Sequence, residues 1–173
     1  MGKAKVLLVG NPPEQKIPEV KAVIEAYRAE FDMVFVTNSE ETAVAELIGD
    51  VRAAVIPWSP RVLLGRNTLE QAKKLEIIVT TYGGMKKNVD TEKALEMGLK
   101  LSCTGPARAR SVAEFTLGLT MASLLHIARI HHEMRSGESF PRHGYTSELT
   151  GRRIGIIGFG AVSRDMMKLL APF

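Results

Sequence analysis

A chain of 173 residues is long enough to bury one core, or one complete domain and the start of a second. Its 45% hydrophobic and 24% charged content excludes a disordered or fibrous protein. The net charge of +4 comes from 23 Lys and Arg scattered among 19 Asp and Glu, without basic runs beside aromatics, so neither nucleic acid nor a membrane is an expected partner.

Met1-Gly2-Lys3-Ala4-Lys5 runs straight into apolar residues with no signal-peptide core or small-residue cleavage site, and the expected location is cytoplasmic. Residues 5–9 (Lys-Val-Leu-Leu-Val), closed by Gly10-Asn11-Pro12-Pro13, predict a strand buried on both faces. Residues 17–31 follow helical spacing, and residues 33–37 form a second apolar run. Asn38 with Glu41 three residues later predicts a helix start extending to Ile48. Residues 52–58 predict a third strand, and Asn67 with Glu70 opens another helix in the same manner. A fourth strand is expected over 75–81, a short helix capped by Asp90 over 91–97, and a fifth strand over 99–103. This alternation implies right-handed crossovers and a parallel sheet covered on both sides.

Residues 111–135 place apolar side chains on nearly every face of one long predicted helix, which therefore needs partners all round: a second domain, a second subunit, or both. The most apolar part, 115–128, is too short for a membrane span and is bordered by Glu114 and Arg129. Gly137 ends the helix, and residues 138–148 read as a linker or arm. Residues 153–157 predict a sixth strand, followed by Gly158-Phe159-Gly160-Ala161-Val162-Ser163 and a helix over 164–170.

A strand, a Gly-x-Gly turn and a helix place unpaired N–H groups where a pyrophosphate binds. Gly158 suits the tight turn, and Gly160 lets phosphates approach the backbone. Ser163 stands where the third glycine of that fingerprint is usual, the smallest departure. The acidic residue that would hold the ribose is expected about 20 residues after the fingerprint begins, so NAD and NADP are not distinguished. The single Cys103 has neither disulfide nor zinc spacing and reads as a small apolar filler. His126, His131 and His132 lie on the long predicted helix at spacings that align no pair of ligands, His143 lies in the arm, and none is assigned to a catalytic or metal role.

Four segments in order then carry a resemblance: Thr80-Thr81-Tyr82-Gly83-Gly84 with Asn88-Val89-Asp90; Ser111-Val112-Ala113-Glu114-Phe115-Thr116-Leu117-Gly118-Leu119; the arm around Met134-Arg135-Ser136-Gly137; and residues 149–160, Leu-Thr-Gly-Arg-Arg-Ile-Gly-Ile-Ile-Gly-Phe-Gly. Together they resemble the D-isomer-specific 2-hydroxyacid dehydrogenases, in the phosphoglycerate dehydrogenase-like branch. The resemblance implies an α/β architecture in three parts. These are a flavodoxin-like parallel-sheet substrate domain over 1–104, a long interdomain and dimerisation helix with its arm over 105–150, and the first β-α unit of an incomplete Rossmann domain over 151–173.

The implied activity is that of an NAD(P)-dependent oxidoreductase moving a hydride between nicotinamide and a small 2-hydroxy or 2-oxo acid, as a homodimer joined through residues 111–135. The family's catalytic Arg, its carboxylate partner and its His belong to the second half of the cofactor domain, so no catalytic residue is assigned here and this polypeptide alone is expected to be inactive. The alternative is a truncated, non-catalytic dimerisation or regulatory module. By the same resemblance Gly83, Gly84 and Met85 receive the substrate carboxylate, although a plain strand-to-loop turn is the competing reading. Lys86 and Lys87 beside it either attract an acidic or phosphorylated substrate or are solvated loop charges. Arg108 stands where the family often has an Asn, and either meets substrate or lies on the surface. Ser111 and Val112 open the long helix on the cofactor side, and Gly158, Phe159, Gly160, Ala161, Val162 and Ser163 hold the dinucleotide.

Overall fold

Five short runs, β1 (Ala4–Val9), β2 (Phe31–Val36), β3 (Ala53–Ile56), β4 (Ile77–Thr80) and β5 (Lys100–Cys103), pair in parallel in the order β2-β1-β3-β4-β5. The computed structural model describes residues 2–137 and 145–173, which fall into two compact units, Met1–Thr104 and Gly105–Phe173. The strand order of the first unit is the flavodoxin-like one that the sequence implies, with its switch point between β1 and β3.

Register decides which side chains enter the core, because side chains alternate across a strand. Leu7 of β1 pairs with Ala54 of β3, Ala54 with Ile78 of β4, and Ile78 with Leu101 of β5. Leu7, Ala54, Ile56 and Ile78 are fully buried on this face. They pack with Val44 of α2 (Glu41–Ala45), Leu69 of α3 (Arg66–Gln71) and Ala94 of α4 (Thr91–Glu96) in one core. Each fully buried Leu or Ile contributes about 1.5–3 kcal/mol. The opposite face is less covered than expected: Val6, Leu8 and Val55 are half-buried, and they line an apolar groove with Ile24 and Tyr27 of α1 (Lys21–Glu30).

The expected helix over 17–31 is shorter than its periodicity suggests. Pro13 and Pro18 begin two single 3-10 turns, Pro13–Gln15 and Pro18–Val20, and Phe31 already belongs to β2. The first helix after β2 starts at Glu41 rather than Asn38, with Glu40 at its N-cap and no side-chain cap. Likewise Gly65, not Asn67, is the N-cap residue of α3. Asp90 does cap α4: its carboxylate accepts the Lys93 N–H at 2.9 Å, and Gly98, at φ +73°, closes the turn beyond.

In the second unit, the single helix expected over 111–135 is two, α5 (Ala109–Leu124) and α6 (Ile127–Arg135), bent by 59°. Leu125 and His126 close α5 by donating to Met121 and Ser123 carbonyls, and His126 then turns left-handed at φ 52° before Ile130 donates back to it. A continuous apolar pattern does not reveal one left-handed residue. Gly137 ends α6 at φ +89°, as expected. The last helix, α7 (Ala161–Leu170), begins three residues before its expected start and packs on α5, with Ala113 and Met166 buried.

The sixth strand expected over 153–157 is not formed: these residues have no ladder partner among the described residues, and Ile157 is fully exposed. A parallel strand exists only through neighbours that take its N–H and C=O groups. Of the arm, residues 138–144, including His143, lie outside the described residues; beyond them Ser147 donates to the Leu124 carbonyl at 3.0 Å. Among the described residues no single helix is long and apolar enough to cross a membrane.

Candidate substrate and cofactor sites

Parallel strands bring their carboxyl ends to one edge of the sheet, and the first candidate site lies at the exit of β4. Thr81 N–H still donates to the Ile56 carbonyl at 3.0 Å, after which the chain leaves the ladder at Tyr82. The Thr80 hydroxyl donates to the Tyr82 carbonyl at 2.8 Å and starts the turn. Gly84 then adopts φ +87°, a left-handed conformation that favours glycine, and leads into a 3-10 turn over Met85–Lys87. Around Gly83 and Gly84 no atom beyond the adjoining residues comes within 4 Å of where a Cβ would stand. The N–H groups of Gly83, Gly84 and Met85 donate to no acceptor among the described residues. Open space before free N–H donors is what an approaching carboxylate requires. Lys86 and Lys87 follow directly and are exposed.

Asn88 anchors this turn, a role that sequence reasoning did not assign. Its side chain is fully buried. The amide nitrogen donates to the carbonyls of Ser59, at 2.6 Å, and Arg61, and the amide oxygen accepts the Tyr82 hydroxyl. The Asn88 carbonyl accepts Leu63 and Leu64 N–H groups at 2.9 and 3.0 Å, while its own N–H donates to Met85 at 3.0 Å. Every polar group of this buried residue is therefore matched. Burial raises the Tyr82 phenol above its ordinary value of 10.0. The only hint in the sequence was the place of Asn88 within the quoted Asn-Val-Asp segment.

The second candidate site lies in the other unit. Gly158 takes φ +87°, Gly160 is the N-cap of α7, and no atom comes within 4 Å of a Cβ built on either. The first helical bond runs from Arg164 N–H to the Gly160 carbonyl at 3.1 Å. No side chain caps the helix, and the N–H groups of Ala161, Val162 and Ser163 have no acceptor among the described residues. This arrangement fits a pyrophosphate. Ser163, in place of the usual glycine, donates its hydroxyl to the Gly158 carbonyl at 2.9 Å and so ties the turn to the helix. The Arg164 guanidinium stacks over exposed Phe159 at 5.6 Å. Arg108 closes a 3-10 turn at the entry of α5, where it, Ser111 and Val112 are all exposed. Among the described residues no group of three or more His, Cys, Asp or Glu side chains is placed to hold a metal.

A parallel sheet of this order defines a flavodoxin-like α/β fold, and comparison with known proteins makes it specific. The model of the D-isomer specific 2-hydroxyacid dehydrogenase catalytic domain matches residues 6–160, and the chain belongs to that family. It is 32% identical over 134 residues to a hydroxypyruvate reductase of Thermotoga maritima, covering 78% of this chain and 43% of that protein. It is 29% identical over 137 residues to a D-3-phosphoglycerate dehydrogenase of Methanocaldococcus jannaschii, covering 79% of this chain and 26% of the relative. An NADPH-dependent glyoxylate/hydroxypyruvate reductase from Sinorhizobium meliloti shares the fold, with a TM-score of 0.77 at 20% identity over 99% of this chain and 51% of its own. The chain thus spans less than half the length of those two curated relatives.

Proposed function

We propose that these residues supply the substrate-binding part and the entry to the cofactor-binding part of an NAD(P)-dependent D-2-hydroxyacid dehydrogenase acting on a small 2-hydroxy or 2-oxo acid. The observation that carries this reading is the turn at Gly83 and Gly84, open to solvent and lined with N–H groups that have no acceptor among the described residues. In the proposal, the N–H groups of Gly83, Gly84 and Met85 bind the substrate carboxylate and fix which carbon is presented for reaction. Arg108 is assigned to the substrate as well, and Ser111 and Val112 to the nicotinamide side. The turn from Gly158 to Ser163 binds the pyrophosphate through Ala161, Val162 and Ser163 N–H groups, supported by their free donors. The nicotinamide, when bound, takes up or returns the hydride at the carbon bearing the hydroxyl.

No residue of this chain is assigned to move the proton, so the 173-residue chain alone is expected to show no turnover. Homodimerisation through α5 belongs to the same proposal, supported by the exposed Phe115 and Leu119, four residues apart on one side of that helix. The test is an amide-resolved NMR titration of the chain with NAD, NADP and D-glycerate separately. Dinucleotide should shift Gly158 to Ser163 and D-glycerate should shift Gly83 to Met85. Shifts confined to other residues, or none at millimolar ligand, would reject the assignments.

A further inference from the structure

The bonds of Asn88 join two strand exits that are separate in sequence. In the ladder Ile56 of β3 stands opposite Thr80 of β4, the last pair before both strands leave the sheet. Asn88 returns from the β4 exit and binds Ser59 and Arg61 carbonyls in the β3 exit through its amide nitrogen. Through its amide oxygen it holds Tyr82, the residue before Gly83. Its main-chain carbonyl holds Leu63 and Leu64, and Asp90 N–H donates to the Leu64 carbonyl at 2.9 Å. Trp58, the single tryptophan, is 62% exposed next to Ser59. One buried amide therefore ties the segment that follows Trp58 to the residue that precedes the open glycine turn.

We propose that Asn88 is a positioning residue that locks the exits of β3 and β4 into one unit and so holds the Gly83–Gly84 turn in place to receive the carboxylate of a 2-oxo acid. This deepens, and rests on, the reading of that turn as the carboxylate site. Asn88 itself touches no substrate; it acts through the backbone of both exits.

The experiment measures amide hydrogen exchange, Trp58 emission and oxalate binding on the full 173-residue chain and its variants. In Asn88→Ala, exchange at Arg61, Leu63 and Leu64 in one exit and at Val89 in the other should rise together by roughly tenfold or more, with Ala54 and Ile78 unchanged. Asn88→Asp keeps an acceptor for Tyr82 but loses both donors, so it should loosen the β3 exit, shift Trp58 emission and weaken oxalate by about tenfold. It also decides the matter if Asn88→Ala does not fold. Loosening that occurs only with the whole sheet, unchanged exchange in the β3 exit, or equal oxalate affinity in wild type and Asn88→Asp would each overturn the proposal. Absence of any oxalate response in the wild type would instead reject the carboxylate reading, and the exchange and emission results would still decide the role of Asn88.

Discussion

Glu41, in the first turn of α2, accepts the Gly65 N–H at 2.9 Å and the Thr68 hydroxyl at 2.6 Å through the same oxygen, so a carboxylate from one helix caps the next. Thr68 is buried, and a Cβ on Gly65 would stand 2.5 Å from that oxygen. Glu41→Ala should therefore cost about 1–3 kcal/mol, the cost of leaving a buried hydroxyl and a helix N–H unmatched. Glu41→Gln, which retains an acceptor oxygen, should cost less, and Gly65→Ala should displace the carboxylate and lose both bonds. Urea unfolding of the three variants checks this, and a Glu41→Ala midpoint equal to wild type would remove the cap from the account.

The exposed pair of Arg52 and Glu76 contributes to acid sensitivity. Arg52 grips Glu76 through two bonds, Nε to Oε1 at 2.8 Å and Nη2 to Oε2 at 3.0 Å, and chiefly by hydrogen bonding holds the carboxyl below its ordinary 4.5. A lowered carboxylate value means that the contribution is present above about pH 4.5 and is lost as the pH falls through the folded-state value. Thermal midpoints of Glu76→Gln should fall less steeply below pH 4.5 than those of wild type, with little difference at pH 7. Parallel curves for the two proteins through the acid range would contradict this.

The bend between α5 and α6 depends on a left-handed residue that is not glycine, His126 at φ 52°. A β-branched side chain tolerates that conformation poorly, so His126→Val should be less stable than His126→Gly by roughly 1–2 kcal/mol. Denaturant midpoints of the two variants measure the difference. A Val variant as stable as the Gly variant would show that the helix straightens without cost.

Self-association is expected through the exposed side of α5, where Phe115 is 68% exposed one turn from Leu119. Phe115→Glu should move the chain toward monomer in light scattering at high concentration while leaving its thermal transition in place. A wild-type chain that stays monomeric at the same concentration would reject the dimer.

What was legible in the sequence follows from what is local or periodic. The runs ending at Val9 and Ile56 are closed by Gly10 and Pro57, and the two-residue alternation places Leu7, Ala54 and Ile78 together in the core. Asp90 before a helical stretch announced its own cap. Asn38 and Asn67 carried the same kind of signal and cap nothing, because the Glu41 carboxylate reaches 24 residues along the chain to Gly65. The site divides in the same way. Gly83, Gly84, Gly158 and Gly160 are visible because glycine permits open or left-handed backbone, whereas the two carbonyls that the Asn88 amide nitrogen binds lie 27 and 29 residues away.

The sequence by itself therefore determined the alternating α/β order, the parallel core, the two glycine turns and the family to which they belong. Those properties depend on residues close along the chain, through side-chain period and backbone sterics. Only the tertiary structure decided that Asn88 ties together the exits of β3 and β4, that the long apolar helix breaks at His126, and that residues 153–157 form no strand. Each of these depends on which distant groups satisfy a polar atom, and no local pattern specifies a partner that lies elsewhere in the chain.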